Sequence, residues 1–235
     1  MIAVFKKELR SYFTTVIGYV FLVIYLALAG AIFCYTTLFS MSADVTNFFT
    51  FMIILSAIVL PLLTMKSFSE ERKAKTEQLL LTSPVSIIGI VTGKFLAAYA
   101  MFAACMIINS LYFLILIGYA SLKVAILFGN LIAILLVGMV FVAIGLFVSA
   151  LTENQLSAAI GTIAIILAFL LIGLLGNLVP SSYPIRYVFS FISIFSRFQA
   201  FTAGYFDVAS LVYYLSVAFI FLYLTVRIYD RRRYN

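Results

Sequence analysis

Residues 70–84 read EERKAKTEQLLLTSP, the densest run of charge in a chain that otherwise avoids it. Of the 235 residues, 66% are hydrophobic and only 10% are charged. Soluble domains carry roughly 25% charged residues. A mean hydropathy of +1.22 agrees, and a soluble protein could not expose this much apolar surface. The chain therefore reads as a membrane protein, and the 70–84 stretch as the place where it leaves the bilayer.

Working outward, uncharged runs long enough to cross hydrocarbon, about 20 residues each, fall at Val16–Leu38, Phe48–Met65, Phe95–Ile117, Val124–Ser149, Leu156–Leu175 and Val208–Val226. None alternates as a lipid-facing barrel strand does. The expectation is an all-α polytopic fold with six transmembrane helices in one domain, residues 1–235. The first run is too long for a cleavable signal and reads as a retained span. The N-terminal segment, the 66–94 loop and the tail together hold twelve of the fifteen Lys and Arg residues; Lys123, Arg186 and Arg197 are the other three. By the positive-inside bias both termini, and EERKAKTEQLLLTSP, face the cytoplasm, which places the chain in the cell inner (plasma) membrane.

Three pieces are not spans. Residues 1–15 place Ile2, Phe5, Leu9 and Tyr12 or Phe13 at helical spacing, with Lys6, Lys7 and Arg10 on the other side, the pattern of an interfacial helix. In residues 66–94, Glu70 and Glu71 lie near a helix start, where carboxylates suit the dipole. Glu71 with Lys75 and Glu70 with Lys73 are spaced as intrahelical ion pairs. Leu79, Leu80 and Leu81 then form an apolar ledge, and Thr82-Ser83-Pro84 stops the helix, with Ser83 or Ser86 placed to cap the next. Two readings fit this segment equally: a helix that another protein grips, or a solvated connector whose leucines touch lipid. Residues 176–207 carry too many phenylalanines for water and too much charge for a span, so short helices dipping into the outer leaflet are expected there, with Asp207 capping the last span.

Much chemistry is missing. There is no histidine, no CxxC, and no Gly-rich phosphate loop or hydrolase motif. Cys34 and Cys105 sit in apolar runs and read as small hydrophobes. Glu70, Glu71, Glu77 and Glu153 could form an acid cluster, but basic neighbours favour ion pairing. The spans carry no mid-span ionisable group, which counts against a proton-coupled carrier. No catalytic, cofactor or metal site is expected, and no nucleic-acid partner. Work against a gradient would need an energy source in another chain. The competing readings are a stand-alone carrier or channel, and a membrane anchor for a cytoplasmic partner.

The stretch MKSFSEERKAKTEQLLLTSPVSIIGIVTGKFLA resembles the segment between spans two and three in permease subunits of type-2 ABC transporters, and more narrowly in the gliding-motility-associated permeases. Phe68, Glu70, Glu71, Thr76, Glu77, Leu79, Leu80, Ser83, Pro84 and Val85 carry the likeness. Lys75 departs from it, standing where the family often has Gly. The resemblance implies an N-terminal elbow helix over 1–15 (Phe5, Lys6, Lys7, Leu9, Arg10), a cytoplasmic coupling region over 66–94 and an outer re-entrant helical hairpin over 176–207. It implies that Glu70, Glu71, Thr76, Glu77, Leu79, Leu80, Ser83 and Pro84 dock on a cytoplasmic ATPase. ATP and magnesium would sit in that partner. Two ATPase subunits, a second identical or homologous permease chain, membrane lipids and an additional periplasmic or membrane partner follow from the same resemblance. So does an exporter, or a machine doing mechanical work, with small and aromatic faces of spans one, two and five lining the path. The substrate is not legible.

Overall fold

Ala125–Leu151 has the highest mean hydropathy of the long helices, 3.1, and a helix apolar all round belongs in the middle of a bundle. The computed structural model places it there. It describes residues 1–41, 45–78, 85–113, 124–178, 192–202 and 207–234. The helices, in chain order, are α1 (Ile2–Thr14), α2 (Val16–Phe33, continued by a π-helical end over Cys34–Phe39), α3 (Thr46–Thr64), α4 (Lys66–Lys73), α5 (Ile87–Ser110), α6 (Val124–Leu151), α7 (Gln155–Leu178), α8 (Ile194–Thr202) and α9 (Val208–Tyr234). There is no strand among the described residues. The central helix α6 touches α3, α4, α5, α7, α8 and α9. Six helical stretches are long and apolar enough to cross a membrane: those of α2, α3, α5, α6, α7 and α9. The expected all-α, six-span architecture is what the chain adopts.

Close packing comes from small residues facing large ones. A side chain at Gly138 of α6 would run into the ring of Phe102 on α5. That ring in turn packs edge-on against Tyr25 of α2, centroids 6.0 Å apart. The Tyr25 hydroxyl is satisfied inside the bundle by Ser56 Oγ at 2.8 Å. One end of the bundle is closed by rings: Phe33, Phe48, Phe49 and Phe113 meet with centroids between 5.2 and 6.0 Å apart. The opposite end gathers the charges.

Two caps follow the sequence. Ser86 Oγ accepts from the Gly89 N–H at 3.2 Å and opens α5. Asp207 accepts from the backbone of Ala209 and Ser210 at 3.1 and 3.2 Å and opens α9. The Ser210 hydroxyl, ahead of those two amides, holds the Asp207 carboxyl below its ordinary range. In the 176–207 region, α8 buries Ile194, Phe198 and Phe201 completely, and the Arg197 guanidinium lies over the Tyr213 ring at 4.9 Å. Residues 179–191, with Arg186, and Lys123 lie outside the described residues.

The third span corrects the sequence reading. The uncharged run predicts a start at Phe95, with Lys94 as a loop charge. The helix instead starts at Ile87, and Lys94 lies within it with 1% of its side chain exposed. A cut made at every charge assumes that charges face water, and this one does not. The last helix also runs beyond Val226 to Tyr234.

Replacing Gly138 with Leu should force α5 and α6 apart at Phe102, costing about 1–3 kcal/mol. Thermal unfolding in detergent should show the loss, and adding Phe102→Ala should recover part of it.

Candidate functional site: the charged end of the bundle

The site begins with α1. Its inward stripe is Val4, Glu8 and Tyr12, flanked by Phe5 and Leu9, while Lys6, Lys7 and Arg10 face outward. Ile2 and Phe13, both candidates for the apolar face, are exposed, and Tyr12 is buried instead. The helix can lie this close because α5 presents glycine to it. A Cβ on Gly93 would stand 3.0 Å from Val4 Cβ. That approach brings Glu8 over the third turn of α5, where Lys94 waits.

The Lys94 ammonium has three N–H donors, and each finds an oxygen. Glu8 Oε1 of α1 is at 2.9 Å, Glu71 Oε1 of α4 at 2.9 Å and the Ser67 carbonyl of α4 at 2.7 Å. The Phe68 ring closes the fourth side, its centroid 5.1 Å from Nζ. Lys7 adds a longer contact to Glu71 at 3.8 Å. Two cations and two carboxylates leave the cluster neutral. Glu8 and Glu71 keep 14% and 18% of their side chains exposed, facing a cleft of about 230 Å³ between α1 and α4. Burial, and then the nearby Glu8 carboxylate, push the Tyr12 hydroxyl above its ordinary pKa. It stays protonated and donates to the Leu63 carbonyl at 3.4 Å.

The other flank of α4 is fastened to α6 and α9. Ser149 Oγ accepts from the Phe68 and Ser69 amides and donates to the Met65 carbonyl, each at 3.1 Å. It thereby serves the backbone at the joint between α3 and α4. Arg72 reaches the Leu151 carbonyl at 3.0 Å and Glu153 at 2.8 Å. Arg232, near the end of α9, grips Glu77 at 2.9 Å and the Ala150 carbonyl at 2.8 Å. Phe68 packs on Tyr229 with centroids 4.7 Å apart.

The expected local pairs do not form. Glu71 binds Lys94 and Lys7 rather than Lys75, and Glu70 pairs with Lys66 at 3.4 Å rather than with Lys73. The reason is the end of α4. The Thr76 amide bonds the Glu71 carbonyl at 2.9 Å and the Lys75 amide bonds the Arg72 carbonyl at 3.0 Å, a Schellman closure. It turns the chain at Lys75, whose φ of +55° lies in the left-handed region. Glycine adopts that conformation freely and lysine at a cost.

Of the residues singled out from sequence, Phe68, Glu71 and Glu77 face the bundle, while Glu70 and Thr76 are exposed with Lys73, Ala74 and Lys75. Leu79, Leu80, Ser83 and Pro84 lie outside the described residues. Glu8, Lys94, Ser149 and Arg232 carry the site and were not singled out. For Glu8 a signal existed: an acid between Val4 and Tyr12 on an otherwise apolar stripe. No group of three His, Cys, Asp or Glu side chains able to hold a metal occurs among the described residues.

A family model described as ABC-2 family transporter protein matches residues 2–233. No curated protein matches the chain at a significant level.

Replacing Lys94 with Met leaves two largely buried carboxylates with only the longer Lys7 contact to offset them and should cost about 3–5 kcal/mol. Adding Glu8→Gln and Glu71→Gln should return much of it, read as thermal stability in detergent. Lys75→Gly should raise stability by about 1 kcal/mol by relieving the left-handed lysine.

Proposed function

This chain belongs to the ABC-2 transporter family, a multi-pass membrane component that associates with ABC ATPase subunits, and we propose that its charged end is where a separate ATPase drives it. The observation that carries the proposal is the fastening of α4. One face of α4 is bonded into the bundle through Lys94, Ser149, Arg72 and Glu71. The other face, Glu70 and Lys73 to Thr76, is exposed and leads into Leu79, Leu80, Ser83 and Pro84. In this reading the exposed face and the leucines dock on the ATPase. Glu71 and Glu77 act from within, passing the push to α1, α5, α6 and α9.

A rigid coupling follows from the chemistry. Ion pairs at 2.8–2.9 Å tie α4 to its neighbours, Glu71 to Lys94 and Arg72 to Glu153, and Arg232 holds Glu77 just beyond its end. Closure of two ATPase subunits on ATP and magnesium would then reach the central helix α6 through Ser149 and Arg72. The elbow helix, with Phe5, Lys6, Lys7, Leu9 and Arg10, would follow through Glu8. The chain itself would hold no catalytic site and no cofactor.

The same reading has two permease chains, identical or homologous. The outward apolar faces of α2, α7 and α9, with Val23, Ile160 and Phe219 exposed, support it by offering surface for a second chain and for lipid. It places the chain in the inner membrane with both termini in the cytoplasm and residues 1–235 as one permease domain. The 66–94 region serves as coupling segment and 176–207 as outer re-entrant region. It makes the chain an exporter, or a device converting ATP closure into mechanical work, of the gliding-motility-related branch, with room for a further periplasmic or membrane partner.

The decisive experiment is to purify the tagged chain gently from its native membrane. An ATPase should co-purify in stoichiometric amount and be lost with Leu80→Asp or Glu70→Lys, while both variants still insert. A clean chain without ATPase would favour an independent carrier or an anchor. In a Cys34→Ser background, a cysteine at Ser181 should react with an impermeant thiol reagent from outside the cell and one at Thr82 should not. The reverse pattern would invert the topology.

A further inference from the structure

The last turns of α9 carry arginines that do two different things. Arg232 faces inward and is consumed by Glu77 and the Ala150 carbonyl. Arg227 and Arg231, one turn apart, line a groove on the outer side of α6 and α9. The groove has a volume of about 900 Å³, and its lining also includes Phe147 and Leu151 of α6 and Leu224, Ile228 and Asp230 of α9. Neither Arg227 nor Arg231 forms an ion pair with a carboxylate among the described residues, and Asp230 forms none with a cation there. Arg227 is held in place by its own helix: its Nε donates to the Tyr223 hydroxyl at 2.8 Å, and the guanidinium lies over that ring at 5.3 Å.

From these features we propose that the groove binds an anionic glycerophospholipid, its phosphate between Arg227 and Arg231 and its first methylenes along Leu224, Phe147 and Leu151. The argument is one of chemistry and depth. The groove lies at the level where α6 and α9 pass from apolar to charged sequence, which is where headgroups meet acyl chains. Its lining combines hydrocarbon side chains with two guanidiniums. Two arginines against one aspartate leave the lining with a net charge of +1, complementary to a headgroup whose phosphodiester charge is not cancelled by an ammonium of its own. Guanidiniums match phosphate oxygens geometrically, and basic pockets between membrane helices are suited to anionic headgroups. The inference depends on the membrane location of the chain and not on the ATPase reading.

The chain contains no tryptophan, so Leu151→Trp gives a single reporter in the groove. The full-length variant is reconstituted in phosphatidylcholine vesicles. Chain-brominated phosphatidylglycerol or chain-brominated phosphatidylcholine is then titrated in, and tryptophan fluorescence is read. The brominated phosphatidylglycerol should quench at about thirtyfold lower mole fraction, as expected for two arginines near an anionic headgroup. Combining Arg227→Gln with Arg231→Gln should abolish that preference while leaving quenching by brominated phosphatidylcholine unchanged, which also shows the fold intact. Arg233→Gln, on the same helix but outside the groove, should keep the preference. Equal quenching by both lipids would overturn the proposal. So would a preference that survives the double substitution or falls equally with Arg233→Gln, and so would a reporter that neither lipid quenches because protein covers the groove.

Discussion

An ammonium group withdrawn from water must find three acceptors and a counter-charge, and the charged end of this bundle is arranged around that requirement at Lys94. Two carboxylates and one carbonyl meet it, and they come from α1 and α4. Both helices also pack apolar residues on the bundle, Tyr12 from α1 and Phe68 from α4. Breaking such a cluster on one side leaves charge without compensation, so α1, α4 and α5 hold or separate together. The glycine at position 93 belongs to the same constraint, since a larger residue would lift α1 and take Glu8 out of reach.

The second half of the fastening uses weaker pieces in larger number. Ser149 serves three backbone groups at the joint between α3 and α4. Arg72 and Arg232 each combine a carboxylate with a carbonyl at an end of α6. Since α6 touches most of the other helices, a displacement of α4 is delivered to the centre of the bundle rather than to its edge. For a member of a transporter family this is the useful direction. The short charged helix reaches both water and the core, with Glu70 and Lys73 exposed and Phe68 buried.

The periphery behaves differently. The outward faces of α2, α7 and α9 expose apolar residues and hold few bonds across them. The groove at Arg227 and Arg231 sits on this boundary, close to the Arg232 clasp but turned away from it. One helix end thus pairs one arginine with protein and leaves two to line a groove.

What the sequence determined by itself was what depends on composition and period. Six uncharged runs, an amphipathic start, a charged helix after the second span and the caps at Ser86 and Asp207 are local or one-dimensional properties, and each was legible. The family resemblance followed from residues 66–94 for the same reason. Only the tertiary structure decided which charges face water. Lys94 looked like the end of a loop because its partners, Glu8 and Glu71, lie 86 and 23 positions away in the chain. Glu77 looked solvated because Arg232 is 155 positions away. Local spacing instead suggested Lys75 for Glu71, but a left-handed turn at Lys75 carries that lysine off the helix. A charge can be buried only where distant segments converge, and convergence is a property of the packed bundle, not of any window of sequence.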